Sequence, residues 1–256
     1  MKSQIAGMVL AAVTGLSMAA SLSTATSPNA ESKPKNVVLV HGAWADGSSW
    51  SKVISKLAAD GLNVTAVQLP LTSLADDVAT VKRALALETG PVLLVGHSYG
   101  GAVITEAGGD PKVVGLVYVA AFAPDAGESA GSLLGTVPPA PLGAEIRPDA
   151  NGFLKMTKSG MLDDFAQDLP DVEKTMMFVV HAPTAGASLG GTITTPAWKT
   201  RPSWYIVATN DRAIPPSLEA TMAKRMKAET TSIDASHVVM LSQPDKVAAV
   251  ILRAAR

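Results

Sequence analysis

A serine hydroxyl becomes a nucleophile only when the backbone holds it clear and a base can take its proton. Gly96-His97-Ser98-Tyr99-Gly100 offers such a serine in the pattern G-x-S-x-G. On a tight strand-to-helix turn the backbone is crowded, so the flanking positions must be glycine, and the helix that follows turns its amides and positive dipole end toward the hydroxyl. The pattern is cheap in a chain with 21 glycines, and it recurs as Gly186-Ala187-Ser188-Leu189-Gly190. Context separates the two. Pro91 to Val95 reads as a strand leading into Ser98, and Ala102, Val103, Ile104 and Ala107 read as a helix leaving it. Five residues, 181–185, part the Gly186–Gly190 pattern from the apolar run Met176 to Val180, so no strand feeds that turn. Thr192, Thr194, Thr195 and Pro196 after it are poor helix formers. Ser98 is the predicted nucleophile.

The base must come from four histidines. His97 adjoins Ser98 and should leave the turn in another direction, into a structural hydrogen bond. His41 closes the first strand beside Gly42 and reads as structural. His181 falls in an irregular stretch and reads as solvent-facing or pocket-lining. His237 follows a strand over Thr230 to Ile233, at the edge where open α/β sheets bind their ligands, and is the predicted general base. A carboxylate must then steady its ring. Asp211, just past a strand over Trp204 to Ala208, is the predicted acid. Asp125 and Asp234 are its rivals, and a turn-forming Asp211 paired with Arg212 is the purely structural alternative. An acyl-transfer oxyanion needs two amide donors. Tyr99, next after the nucleophile, and Ala43, in the loop after the first strand, are the predicted pair.

These segments need a scaffold that brings them together. Val37 to Val40, Asn63 to Val67, Pro91 to Val95, Val113 to Val119, Trp204 to Ala208 and Thr230 to Ile233 read as six strands. Helical stretches lie between them: Trp50 to Ala59, Ser73 to Leu87, Gly101 to Ala107, Pro216 to Met226 and Pro244 to Ala255. Alternation of this kind predicts a mostly parallel sheet with helices on both faces. Residues 126–200 break the rhythm with seven prolines and short helical pieces, and read as a small helical cap inserted after the fourth strand. Its Phe153, Met156, Phe165, Met177, Phe178 and Trp198 either line a pocket or hold the cap on the sheet.

Composition narrows the function. At 256 residues and 47% hydrophobic, the chain suits one domain with a large core. A balance of 21 basic against 22 acidic side chains argues against a nucleic-acid binder working through bulk charge. Without cysteine there is no thiol nucleophile and no thiolate metal site, and neither cofactor nor metal is expected. Residues 1–30 read as a secretory signal: Lys2, then an uncharged run from Ile5 to Ala20, then small residues with cleavage sites after Ala19, Ala25 or Ala30. At about sixteen residues rich in Ala and Gly, the run falls short of the ~20 that a membrane span wants. The folded domain is then 31–256, exported, and without a membrane span once processed. The sequence carries no sign of oligomeric state.

Val37 to Trp44, Gly96 to Gly101, Asn210-Asp211-Arg212 and Ser236-His237 together make the chain resemble the α/β-hydrolase superfamily over about residues 35–256. It is most similar to the small esterase and hydroxynitrile-lyase branch, which includes plant methyl esterases. The lyases carry Thr and Lys where this chain has Gly42 and Val238, so the resemblance implies an esterase. It also implies a two-step mechanism through an acyl-enzyme on Ser98. With 4% of residues aromatic the chain shows no large stacking site, and a small to medium, fairly apolar ester or lactone is the expected substrate. Cofactor-free perhydrolases and acyltransferases share the triad, and a non-catalytic ligand carrier of the same fold is the alternative from another class.

Overall fold

A computed structural model describes residues 34–256. The signal reading lies outside the described residues. Six strands form one parallel sheet: β1 (Asn36–Val40), β2 (Asn63–Ala66), β3 (Val92–Ser98), β4 (Val113–Ala121), β8 (Ser203–Ala208) and β9 (Glu229–Ile233), in the order β2-β1-β3-β4-β8-β9. All five residues of β1 and all seven of β3 are buried. Their Val- and Leu-rich runs do not alternate with polar residues because both faces of the sheet are covered.

Strand periodicity divides the core in two. Val38, Val40, Leu94, Tyr118 and Tyr205 point to one face. There they meet α2 (Leu74–Leu87), α3 (Gly100–Ala107) and α7 (Pro216–Met226). Val37, Leu39, Leu93, Val95, Val119 and Ile206 point to the other, against α1 (Ser51–Ala59) and α9 (Pro244–Ala254). The amphipathic periods of these helices were legible, and so was the Ser73 cap, whose hydroxyl accepts the Asp76 N–H at 3.1 Å.

Chain order reverses between β1 and β3. From β1 the chain crosses to β2 on one side, then returns to place β3 on the other. Connections leaving two neighbouring strands in opposite directions open a crevice at their C-terminal ends. The loops after β1 and β3 therefore border the site.

The insertion is richer than expected. It holds α4 (Ala130–Leu134), α5 (Asp171–Val180), the single turn α6 (Gly186–Gly190) and a π-helical turn over Gly160–Phe165, as short helical pieces should. It also holds a three-stranded antiparallel sheet of β5 (Ile146–Pro148), β6 (Phe153–Met156) and β7 (Thr184–Ala185), which the sequence reading missed. Strands of two to four residues are too short for a period-two signal, and the β6–β7 pair closes across about thirty residues of chain. Among the described residues no helix is long and apolar enough to cross a membrane.

Candidate active site

Ser98 ends β3, and α3 begins two residues later. No loop intervenes, so the whole reversal falls on Ser98, whose φ is +54°. A non-glycine residue held there costs about 1–3 kcal/mol and persists where the surroundings over-determine it. The surroundings are close-fitting. A Cβ on Gly100 would lie 2.6 Å from the carbonyl oxygens of Val40 and His41, and one on Gly42 would lie 2.6 Å from the Ser98 Cβ. Those two glycines let the β1 loop and the elbow touch.

His237 stands across the crevice, in the loop between β9 and the short helix α8 (Val239–Ser242). Its Nδ1–H donates to Asp211 Oδ2 at 2.5 Å, with both side chains out of solvent. Asp211 is in turn fixed by the N–H groups of Ala213 and Ile214, which reach its Oδ1 at 2.6 and 2.9 Å. His237 Nε2 is buried, meets no protein partner among the described residues, and shares a cavity wall with Ser98. The Ser98–His237 hydrogen bond is thus not closed in the resting geometry, as is common before substrate binds. Phe165 of the cap packs against the His237 ring at 4.9 Å between centroids, and Asp168 accepts the neighbouring Ser236 N–H at 2.8 Å.

The rival carboxylates lie elsewhere. Asp125 pairs with Lys199, which holds its carboxyl below the usual range. Asp234 accepts from the Asn210 amide at an exposed position. Arg212 reaches the Asp163 carbonyl and Asp164, not Asp211, so the turn-pair alternative is absent.

His97 sends its Nε2–H to the His237 carbonyl at 2.9 Å. Burial drives its pKa well below the ordinary histidine value, so it stays neutral beneath the site. His41 donates from Nδ1 to the Gly42 carbonyl and accepts the Leu69 N–H on Nε2. Both are the structural histidines that the sequence suggested. His181, the residue just past the end of α5, is buried and not solvent-facing, and its Nδ1–H donates to the Phe178 carbonyl at 2.5 Å.

Trp44, at φ +55°, gives its N–H to Thr184 Oγ1 at 3.1 Å and its indole N–H to the Leu154 carbonyl at 2.8 Å. Ala43 and Tyr99 are left bordering the cavity with backbone N–H groups that meet no protein acceptor among the described residues. That is the disposition an oxyanion needs.

Ser188 sits in α6 with its hydroxyl buried and does not line the cavity. The expectation that no strand precedes it is corrected, since β7 does; but β7 has two residues, pairs only within the cap sheet and ends in a one-turn helix.

The cavity is about 320 Å³, lined by Ala43, Trp44, Ser98, Tyr99 and His237 below and by Leu134, Pro139, Leu142, Ile146 and Leu189 of the cap above. None of the six apolar cap residues singled out from sequence lines it. Met156, Phe165 and Trp198 are core, Met177 and Phe178 pack against core, and Phe153 is half-buried in β6. Hydrophobicity marks burial, but only the fold tells which buried residue faces a void. Among the described residues no cluster of three His, Asp or Glu is placed to hold a metal.

A model of the alpha/beta hydrolase family matches residues 37–250. Methylesterase 7 of Arabidopsis thaliana is 30% identical, over 86% of this chain and 96% of its own. The alpha/beta hydrolase nvfD of Aspergillus novofumigatus is 28% identical over the same shares. The crystal structure of polyneuridine aldehyde esterase superposes with a TM-score of 0.77 at 20% identity, covering 87% of this chain and 100% of that one, a likeness of fold.

Proposed function

From the premise that this chain belongs to the alpha/beta hydrolase family and is a carboxylic-ester hydrolase, we propose that it cleaves small to medium neutral esters through an acyl-enzyme on Ser98. The observation that carries the reading is the buried His237–Asp211 pair at 2.5 Å, whose free Nε2 shares one cavity wall with a strained serine. His237 takes the Ser98 proton as Oγ attacks the ester carbonyl, and the Ala43 and Tyr99 amides receive the oxyanion. His237 then protonates the departing alkoxide, and water, activated by the same ring, releases the acid. Asp211 holds the proton of His237 on Nδ1 and so keeps Nε2 free to act.

A fluorophosphonate probe with peptide mapping tests this directly. One adduct is expected, on Ser98, and none after His237→Ala. An adduct on Ser188, or no adduct on folded protein, would sink it.

The cavity supports the word neutral. The polar tips of its aromatic residues are turned away: the Trp44 indole N–H to Leu154 and the Tyr99 hydroxyl to Asp77 at 2.7 Å. No Lys or Arg lines it. A substrate carboxylate would lose its hydration without gaining a cation, at a cost of about 3 kcal/mol or more. An ester bearing a free carboxylate on its acyl chain is thus expected to show kcat/KM at least about 100-fold below its neutral isostere. Equal rates would refute the neutral class. The basic, apolar and small-residue order of residues 1–30 supports export of this activity.

A further inference from the structure

Glu219 stands in the first turn of α7, where an acidic side chain ordinarily meets water and the positive end of the helix dipole. Here it is wholly buried. Its Oε2 accepts the N–H of Ala208, the last residue of β8, at 3.0 Å. Its Oε1, equally buried, meets no N–H or hydroxyl donor among the described residues. The carboxyl group of Asp211, from the loop that leaves β8, packs against the Glu219 carboxyl.

Two carboxyl groups can share a hydrogen bond only if one of them carries a proton. Asp211 already accepts three N–H groups, from Ala213, Ile214 and His237. Glu219 accepts one, so the proton belongs to Glu219. Burial first, and then the facing Asp211 charge, push its pKa well above the usual carboxyl range. The other ionisable group against it is Tyr205 of β8, a buried neutral phenol that donates to the Ala121 carbonyl. The nearby cations are engaged elsewhere, Arg212 with Asp163 and Asp164 and Arg225 with Glu128 and the Ala123 carbonyl.

We propose that Glu219 is a positioning residue of the triad, its neutral carboxyl donating a hydrogen bond to Asp211 and tying that carboxylate to the end of β8. The role rests on the ester-hydrolase reading of Ser98, His237 and Asp211. With this fourth donor the Asp211 carboxylate is held in one rotamer, its Oδ2 facing His237 Nδ1–H. The proton between Asp211 and His237 then stays on Nδ1 as the imidazolium forms. The side chain touches neither substrate nor reacting atom and acts through Asp211 alone.

The test compares wild type with Glu219→Gln, whose amide N–H₂ can donate to Asp211, and with Glu219→Met, which fills similar space without a donor. Two quantities are read: kcat and KM on a 4-nitrophenyl ester, and the downfield proton resonance of His237 Nδ1–H in resting protein. Glu219→Gln is expected to stay within about 3-fold of wild type and to keep the resonance. Glu219→Met should lose about 10- to 100-fold in kcat, the size of one hydrogen bond to a charged group, with KM little changed and the resonance moved upfield. Wild-type turnover in Glu219→Met with an unmoved resonance overturns the proposal. So does a Glu219→Gln that falls as far as Glu219→Met, which would mean that the charge and not the donor matters. Should Glu219→Met fail to fold, Glu219→Gln decides alone: retained turnover and resonance support the donor role, and loss of both overturns it. The resonance needs no substrate. Wild-type protein that neither labels nor turns over an ester would defeat the hydrolase reading, while the resonance would still report on the Glu219–Asp211–His237 chain.

Discussion

Ser98→Ala is expected to lower kcat on a neutral aryl ester by about 10⁴- to 10⁶-fold while leaving KM within a few-fold. The loss corresponds to about 5–8 kcal/mol of transition-state stabilisation. It is large because nothing nearby can substitute. The other lining residue with a hydroxyl is Tyr99, and that hydroxyl is turned away and committed to Asp77. Direct attack by water would keep the amides of Ala43 and Tyr99 but lose the covalent intermediate. KM should hold because the cavity wall is otherwise unchanged. Stability should hold too, since alanine at φ +54° carries much the same backbone strain as serine. The control is Ser188→Ala, which alters a hydroxyl outside the cavity and should stay within about 3-fold of wild type. Stopped-flow or steady-state hydrolysis of a 4-nitrophenyl ester reads both variants. A Ser98→Ala protein within about tenfold of wild type would remove the nucleophile assignment, and a collapse of Ser188→Ala would move it.

Asp211→Asn should cost about 10⁴-fold in kcat near neutral pH with little change in fold. The cause is a tautomer, and the geometry specifies it. Two backbone N–H groups, of Ala213 and Ile214, point at Oδ1 of Asp211. An asparagine must meet them with its carbonyl oxygen, which leaves its –NH₂ against His237 Nδ1. That nitrogen must then be the acceptor, so the ring proton moves to Nε2, and a protonated Nε2 cannot take the proton of Ser98. Asp125→Asn and Asp234→Asn remove a charge that faces Lys199 and Asn210 at the surface and should remain within about 2-fold. A loss in Asp125→Asn as large as in Asp211→Asn would reopen the choice of acid. The probe gives a second check, because Asp211→Asn should label Ser98 far more slowly than wild type.

How much of this was legible in the chain differs from residue to residue. The six sheet strands and the five helices around them appear where the apolar periods placed them, because a strand covered on both faces and a helix covered on one each leave a local pattern. β3 runs three residues past its apolar stretch, through Gly96, His97 and Ser98. Pairing with β4, and not residue type, keeps those positions in the ladder, Ser98 at its end turning out of it at φ +54°. Glu219 could have been noticed. It is in step with Met222, Ala223 and Met226 on the buried face of a predicted helix, and a carboxylate at an apolar position is a conflict that asks for a partner. No pattern could name that partner, since Asp211 belongs to the preceding loop.

Determined by sequence alone were the alternation that makes a parallel sheet, the glycines that admit a nucleophile elbow, and the chain order Ser98, Asp211, His237. Each follows from local sterics or from the period of burial, which a few neighbouring residues suffice to encode. The tertiary structure alone decided that Asp211 and not Asp125 or Asp234 meets His237, and that the cavity is walled by Leu134, Leu142 and Ile146 while Phe165 and Trp198 serve as core. It also decided that a small sheet ties the cap to the Trp44 loop and that Glu219 is buried beside Asp211. These are contacts between segments tens of residues apart, and whether two such side chains meet depends on loop paths and packing that no local window contains.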